Sequence, residues 1–211
     1  MPLSAVQILA VDEVCTVVQD LRRRGQLYKN SRKNLAVFRL SAGCGLRRKE
    51  IAGLNLEDII VTGPRPCIRV RKLITKGRVE KRRARIIPLW WDAGTLEDLT
   101  AWKNERIESG AGPYDPLIPS IGQHRICLGG LRRRWITALK SLPLERRRQL
   151  TSIHCGRHTF CSQALAAGHS LVAVRDAAGH ASIATTNIYL HVVEKDNIPD
   201  MYALPRDLGR Y

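Results

Sequence analysis

Between Ile59 and Leu89 the chain changes its hydrophobic period, and that switch limits the folds open to it. Before it, apolar residues at Val6, Leu9, Ala10, Val14, Val17, Val18 and Leu21 recur at helical spacing, which predicts a first helix from an N-cap at Ser4 to about Gly25. Residues 31–42 predict a second, apolar helix that Gly43 and Gly45 interrupt. The segment LRRKEIAGL starts a short third helix, with Arg47 at its beginning beside the glycine bend. Three short runs rich in Val and Ile follow at 59–61, 67–73 and 83–89, separated by GPRP and TKGR, and predict a small antiparallel sheet with a basic hairpin. The helical period then returns over 93–108, 129–142, 155–167, 170–178 and 182–190. The expected fold class is mainly α with a small three-stranded antiparallel sheet (α+β).

Its 211 residues are 44% hydrophobic, enough for one packed domain. Lys and Arg outnumber Asp and Glu by 35 to 19, a net charge of +16, and many cations cluster at 22–24, 81–85, 132–134 and 146–148. Such an excess selects a polyanionic partner, although any single run is as well explained by a solvated helix face. The basic runs do not lie opposite a strong apolar face, and no apolar run approaches the roughly 20 residues that span a bilayer. The N-terminus has no basic segment followed by an apolar stretch, so a cytoplasmic protein with no membrane partner is expected. Six cysteines are scattered without a CxxC pair, as expected of reduced, mostly buried thiols. Only His154, Cys155, His158 and Cys161 raise the question of a metal, and helical phase divides them, so none is expected.

Counting back from Tyr189 finds His180 nine residues earlier, Arg157 thirty-two and His154 thirty-five. His154 and Arg157 are three apart, so at a helix start both project from one face. A phenol, two imidazoles and a guanidinium in a basic chain suit chemistry on a phosphodiester. Taken singly, Tyr189 reads as a half-buried aromatic on an amphipathic helix, and His124, His169 and His191 as ordinary surface residues.

With its upstream elements added, the sequence resembles the tyrosine recombinase and phage integrase family. The family's HxxRH motif stands at His154, Arg157 and His158, its LGH motif at Ala178, Gly179 and His180, and its nucleophile at Tyr189. Its GLRxxEL element matches Gly45 to Ile51, and TKGRVEKRRARIIPL is similar to its GKGxKxRxVPL hairpin. The family has a bulky aliphatic residue where Ala178 stands and a leucine where Gly156 stands.

The resemblance implies a catalytic domain over 1–195 and a tail over 196–211, with no N-terminal core-binding domain in this stretch. It further implies a site-specific DNA recombinase or integrase that breaks and rejoins strands through a 3′-phosphotyrosyl intermediate, with no cofactor, metal or ATP. Tyr189 would be the nucleophile, Arg47 and Arg157 the phosphate clamp, His154 the acceptor of the phenol's proton, His180 a donor to a phosphate oxygen, and Lys76 the acid for the leaving 5′ hydroxyl. Lys72 and Lys81 flank the same hairpin and remain alternatives to Lys76. Glu50 would orient a clamp residue or equally be a plain acid on the helix surface, His158 would make a structural hydrogen bond, and Arg48, Lys72 and Arg78 would contact double-stranded DNA. Tail exchange would join copies into a tetramer on DNA, with a monomer in isolation, and packing of the tail back on its own domain is the equal alternative. Type IB topoisomerase-like relaxation and a non-catalytic DNA-binding module of the same fold are the competing readings.

Overall fold

The computed structural model describes residues 7–72 and 84–190. Ser4 and Val6, the hairpin residues Lys76, Arg78 and Lys81, His191, and the tail over 196–211 lie outside the described residues.

Helix α1 spans Val11–Gly25, and residues 7–10, which the apolar spacing places inside it, are not helical. Leu9 is the reason. Its backbone N–H donates to Thr159 Oγ1 at 2.9 Å and its side chain is buried, so this segment is tied to a distant helix before α1 begins. Glu13 then accepts the Ala10 N–H at 2.8 Å, satisfying one of the donors a helix start leaves open. Helix α2 (Lys29–Phe38) runs on into a π-helical turn over Arg39–Gly43. Buried Arg39 fixes that turn by ion pairs to Asp98 (2.7 Å) and Asp92 (3.2 Å).

Helix α3 (Arg48–Gly53) leads into the sheet. Its strands β1 (Ile59–Ile60), β2 (Cys67–Val70) and β3 (Arg85–Pro88) are antiparallel in the order β1-β2-β3, with Ile59 opposite Ile68 and Val70 opposite Arg85. This is the sheet that the change of period predicts, with each strand trimmed at its ends. Helix α4 covers Ala93–Glu108 and α5 covers Leu128–Ala138. A short α6 (Leu144–Gln149), which the sequence reading did not contain, follows. It carries one of the arginine runs, and Arg146 is not a solvated cation: it pairs with Glu13 of α1 at 2.6 Å. Helices α7 (His154–Ala166), α8 (Leu171–Ala178) and α9 (Ala184–Asn187) complete the described chain. Among the described residues no helix is long and apolar enough to cross a membrane.

Two apolar clusters form the core. The larger runs through α1, α2, the sheet, α4 and α5, and the smaller joins Phe160, Cys161 and Ala164 of α7 to Val174 and Ala177 of α8 and to Tyr189. Helix α7 therefore passes between them and offers a face to each. His169 belongs to this packing and is no ordinary surface residue: its half-buried ring stacks on Trp91, with centroids 4.1 Å apart, and Trp91 stacks in turn on Phe160. Sequence spacing carries no trace of the stack, because its three members come from three segments.

Gly156 is explained by the π turn. Ser41 donates to the Ile153 carbonyl at 2.8 Å, drawing the turn onto the first turn of α7. A Cβ at position 156 would lie 2.3 Å from Ser41 Oγ and 2.9 Å from the Trp135 ring, so a leucine there has no room. Overpacking of this kind costs about 1–3 kcal/mol. Gly156→Ala is thus expected to lower the unfolding free energy measured in urea by that amount. Gly129→Ala, where the added Cβ meets only Cys127 Sγ at 4.0 Å, is expected to leave it unchanged or raise it. Equal stabilities for the two variants would contradict the close approach.

Candidate active site

Arg47 is the N-cap of α3, its backbone extended at ψ 151. Its N–H donates to Glu50 Oε2 at 2.8 Å, its Nη1 to Glu50 Oε1 at 3.1 Å, and its Nη2 to the Gly179 carbonyl at 2.7 Å. That carbonyl is available because Gly179 ends α8 in the left-handed conformation (φ 68). A side chain there would be strained, and its Cβ would sit 2.8 Å from Nε of Arg85.

Arg85 is the residue that the sequence reading missed. Its Nη1 and Nη2 bind the two oxygens of Glu50 at 2.9 and 2.8 Å, and its Nε donates to the Ala177 carbonyl at 2.9 Å. Residues 80–85 hold four cations, Lys81, Arg82, Arg83 and Arg85, so composition does not single it out. The pairing of β3 with β2 does, by fixing which of them turns toward α8. Glu50 itself has no solvent exposure. Burial raises its carboxyl pKa, but hydrogen bonds and charge from Arg85, then Arg47, outweigh burial and hold the group below the usual carboxylate range.

Arg157 projects from α7 and donates from Nη1 to the Gly45 carbonyl at 2.7 Å. Only 5% of it is exposed, and its buried Nη2 has no hydrogen-bond partner among the described residues. Burial, together with the charge of Arg47, pulls its pKa down to about 10, so at neutral pH it remains a cation in an unfavourable place.

The Tyr189 hydroxyl lies 2.5 Å from His158 Nδ1. This differs from the expectation that gave the phenol's proton to His154 and a structural bond to His158. On α7 the two histidines are one turn apart, and His154 is exposed at the helix start while His158 is half-buried beneath the segment that carries Tyr189. Which turn of α7 meets the tyrosine depends on where α9 docks, and no motif spacing encodes that. Tyr189 is 1% exposed, and burial with Cys161 beside it pushes its pKa up to about 12. Burial, then the charge of His154, lowers the pKa of His158. His180 lies against the same phenol, its ring 6.4 Å from that of Tyr189 and nearly parallel, while its Nδ1 meets Thr186 Oγ1 at 2.8 Å. Burial and the charges of Arg157, Arg47 and Arg85 bring its pKa down to about 3. Arg48 is half-exposed on α3, and Lys72 is exposed just after β2.

Three guanidiniums, one buried carboxylate, two imidazoles and a phenol thus converge where α3, β3, α7, α8 and α9 meet. The family model described as "Phage integrase family" matches residues 8–196 of this chain. The chain belongs to the phage integrase family. Among its relatives, the tyrosine recombinase XerC of Rhodospirillum centenum is 29% identical over 186 residues, covering 87% of this chain and 50% of that protein. XerC of Chromobacterium violaceum is 31% identical over 182 residues, covering 86% of this chain and 54% of the relative. The chain therefore spans about half the length of these phage integrase relatives. In fold it matches the XerA recombinase crystal structure (TM-score 0.68, 22% identity, 90% of this chain and 61% of that one). It also matches XerH bound to a palindromic difH substrate after cleavage (TM-score 0.65, 20% identity, 90% and 51%).

The field of the arginines makes a pH-dependent prediction. With a folded pKa near about 3 against 6.5 in the unfolded chain, His180 stays neutral in the native state through the neutral range. Its contribution to stability is present above 6.5 and is lost as pH falls toward about 3, because only the unfolded chain takes up the proton in that window. In a histidine Cε1 NMR titration, the resonance that His180→Asn removes is expected to be flat between about pH 5 and 8. A midpoint near 6.5 would contradict the buried, cation-ringed environment.

Proposed function

We propose that this chain is the strand-cutting and strand-joining catalytic domain, over 1–195, of a site-specific DNA recombinase acting through a 3′-phosphotyrosyl intermediate. The observation that carries the reading is the buried Nη2 of Arg157, which has no hydrogen-bond partner among the described residues and lies near a second guanidinium, Arg47, and the Tyr189 phenol. Unpaired buried cations are costly, and a phosphodiester supplies the missing anion together with paired acceptor oxygens.

In this reading Tyr189 Oη attacks phosphorus, the new O–P bond forms as the bond to the 5′ oxygen breaks, and Arg47 and Arg157 bind the nonbridging oxygens. The phenol's proton goes to His158 Nδ1, the acceptor already hydrogen-bonded to it. With a phenol pKa of about 12 and an imidazole below its ordinary value, that proton moves only as phosphorus takes up the oxygen's charge. His154, at the exposed start of α7, is assigned to the phosphate oxygens. His180 stays neutral; with the Thr186 hydroxyl donating to its Nδ1, its Nε2 carries a proton for a phosphate oxygen. Lys76, on the hairpin outside the described residues, is the proposed donor to the leaving 5′ oxygen. Two guanidiniums supply charge stabilisation that metal ions supply in many nucleases, so the chemistry calls for neither metal nor nucleotide. The phosphotyrosine keeps the energy of the broken bond, and a second DNA hydroxyl reverses the attack.

Arg48, Lys72 and Arg78 are proposed to contact the duplex, and the tail over 196–211 to link copies into a tetramer on it. Because a fold relative is bound to a palindromic substrate, a nicked palindromic duplex carrying a site from this gene's own neighbourhood is the substrate to test. A protein–DNA adduct on a denaturing gel is expected with the unmodified chain, absent with Tyr189→Phe and reduced at least about 100-fold with Arg157→Ala. DNA binding without an adduct would favour a non-catalytic binding module.

A further inference from the structure

Glu50 is saturated. An ionised carboxylate offers about four acceptor positions, and all are filled: Oε1 receives Arg47 Nη1 (3.1 Å) and Arg85 Nη1 (2.9 Å), and Oε2 receives the Arg47 backbone N–H (2.8 Å) and Arg85 Nη2 (2.8 Å). Arg85 holds the two-bond fork, whereas the Arg47 side chain has a single bond, the longest of the four. Beyond that bond and the one to the Gly179 carbonyl, the Arg47 guanidinium makes no other hydrogen bond among the described residues. It therefore keeps donors in reserve.

We propose that Arg85 is a positioning residue for the phosphate site: by occupying the fork on Glu50, it stops the carboxylate from drawing Arg47 into a two-bond pair and leaves Arg47 available to the phosphodiester. The inference rests on the reading of Arg47 and Arg157 as a phosphate clamp. Arg85 is suited to this task because it is fixed from elsewhere. Its Nε donates to the Ala177 carbonyl, strand pairing holds its backbone opposite Val70, and Gly179 leaves the room its guanidinium needs. Without Arg85, Glu50 would be a carboxylate deep in the fold with two empty acceptor positions. Arg47, three residues away and already one bond from it, is the cation placed to respond. A fork between Arg47 and Glu50 would neutralise half of the clamp and turn its donors away from the substrate.

A purely architectural Arg85 and a positioning Arg85 differ in one respect. If Glu50 is what captures Arg47, then removing its charge should repair the loss of Arg85. If Arg85 only holds elements together, removing a second member of the network should make matters worse. The test is inorganic phosphate binding, followed by 31P NMR, to the unmodified chain, Arg157→Met, Arg85→Met and Arg85→Met/Glu50→Gln, with the Tm of each recorded. Arg157→Met is expected to abolish the binding, Arg85→Met to weaken it about 10-fold, and the double variant to return to within about 3-fold of the unmodified chain. Should Arg85→Met not fold, Arg85→Lys keeps the charge but not the fork, and a loss of about 3-fold that Glu50→Gln reverses is expected. Arg85 variants that bind phosphate like the unmodified chain, or a folded double variant no better than the single, would overturn the proposal. Phosphate binding that is missing in the unmodified chain, or indifferent to Arg157→Met, would instead overturn the clamp reading on which it rests.

Discussion

The site is organised by one buried carboxylate. Glu50 gathers Arg47 from its own helix and Arg85 from the last strand, and those two arginines hold the carbonyls of Gly179 and Ala177 at the end of α8. A helix start, a strand and a helix end are thus locked by one closed ring of charge-assisted bonds, each of the kind worth about 1.5–3 kcal/mol. Burying a carboxylate is unfavourable unless it is paired and fully hydrogen-bonded, and here both conditions are met. The ring also leaves an excess. Three guanidiniums face a single carboxylate, and the one farthest from compensation, Arg157, has a buried donor with no partner among the described residues.

That excess sets the state of everything near it. Burial and the arginine charges keep His180 neutral, and burial keeps the Tyr189 phenol protonated, so the resting site holds its proton on the tyrosine. In the proposed reaction an arriving phosphodiester would bring the missing negative charge, relieve the repulsion among the arginines and make proton transfer to His158 less costly. The same charge that destabilises the empty site would then stabilise the occupied one, which is how a pre-organised electrostatic site differs from an ordinary buried ion pair.

The period change at Ile59 and the alternation of short apolar runs made the sheet legible from sequence, because strand periodicity is local. Helix α4 was legible for the same reason, and so was the bend before Arg47, where glycines break a helical run. What sequence hid was set by docking between distant segments. The start of α1 moved because Leu9 is tied to Thr159, and α6 was lost in an arginine run whose charge masked its turn. Gly156 departs from the leucine of the family pattern, and the approach of Ser41 gives that departure a steric cause. Arg85 was one cation in a cluster, singled out only by strand register. Assigning the phenol's partner to His154 followed motif order, whereas the contact with His158 follows the rotation of α7 under Tyr189.

The central claim is that the open Nη2 donor of Arg157 and the spare donors of Arg47 form a seat for a tetrahedral oxyanion within reach of the tyrosine. Anomalous diffraction from crystals of this chain soaked in tungstate tests it directly. The account predicts the principal anomalous peak between the Arg47 and Arg157 guanidiniums, beside the Tyr189 hydroxyl. A peak confined to the surface arginine runs, with the Arg157 Nη2 position left without an anion, would contradict it.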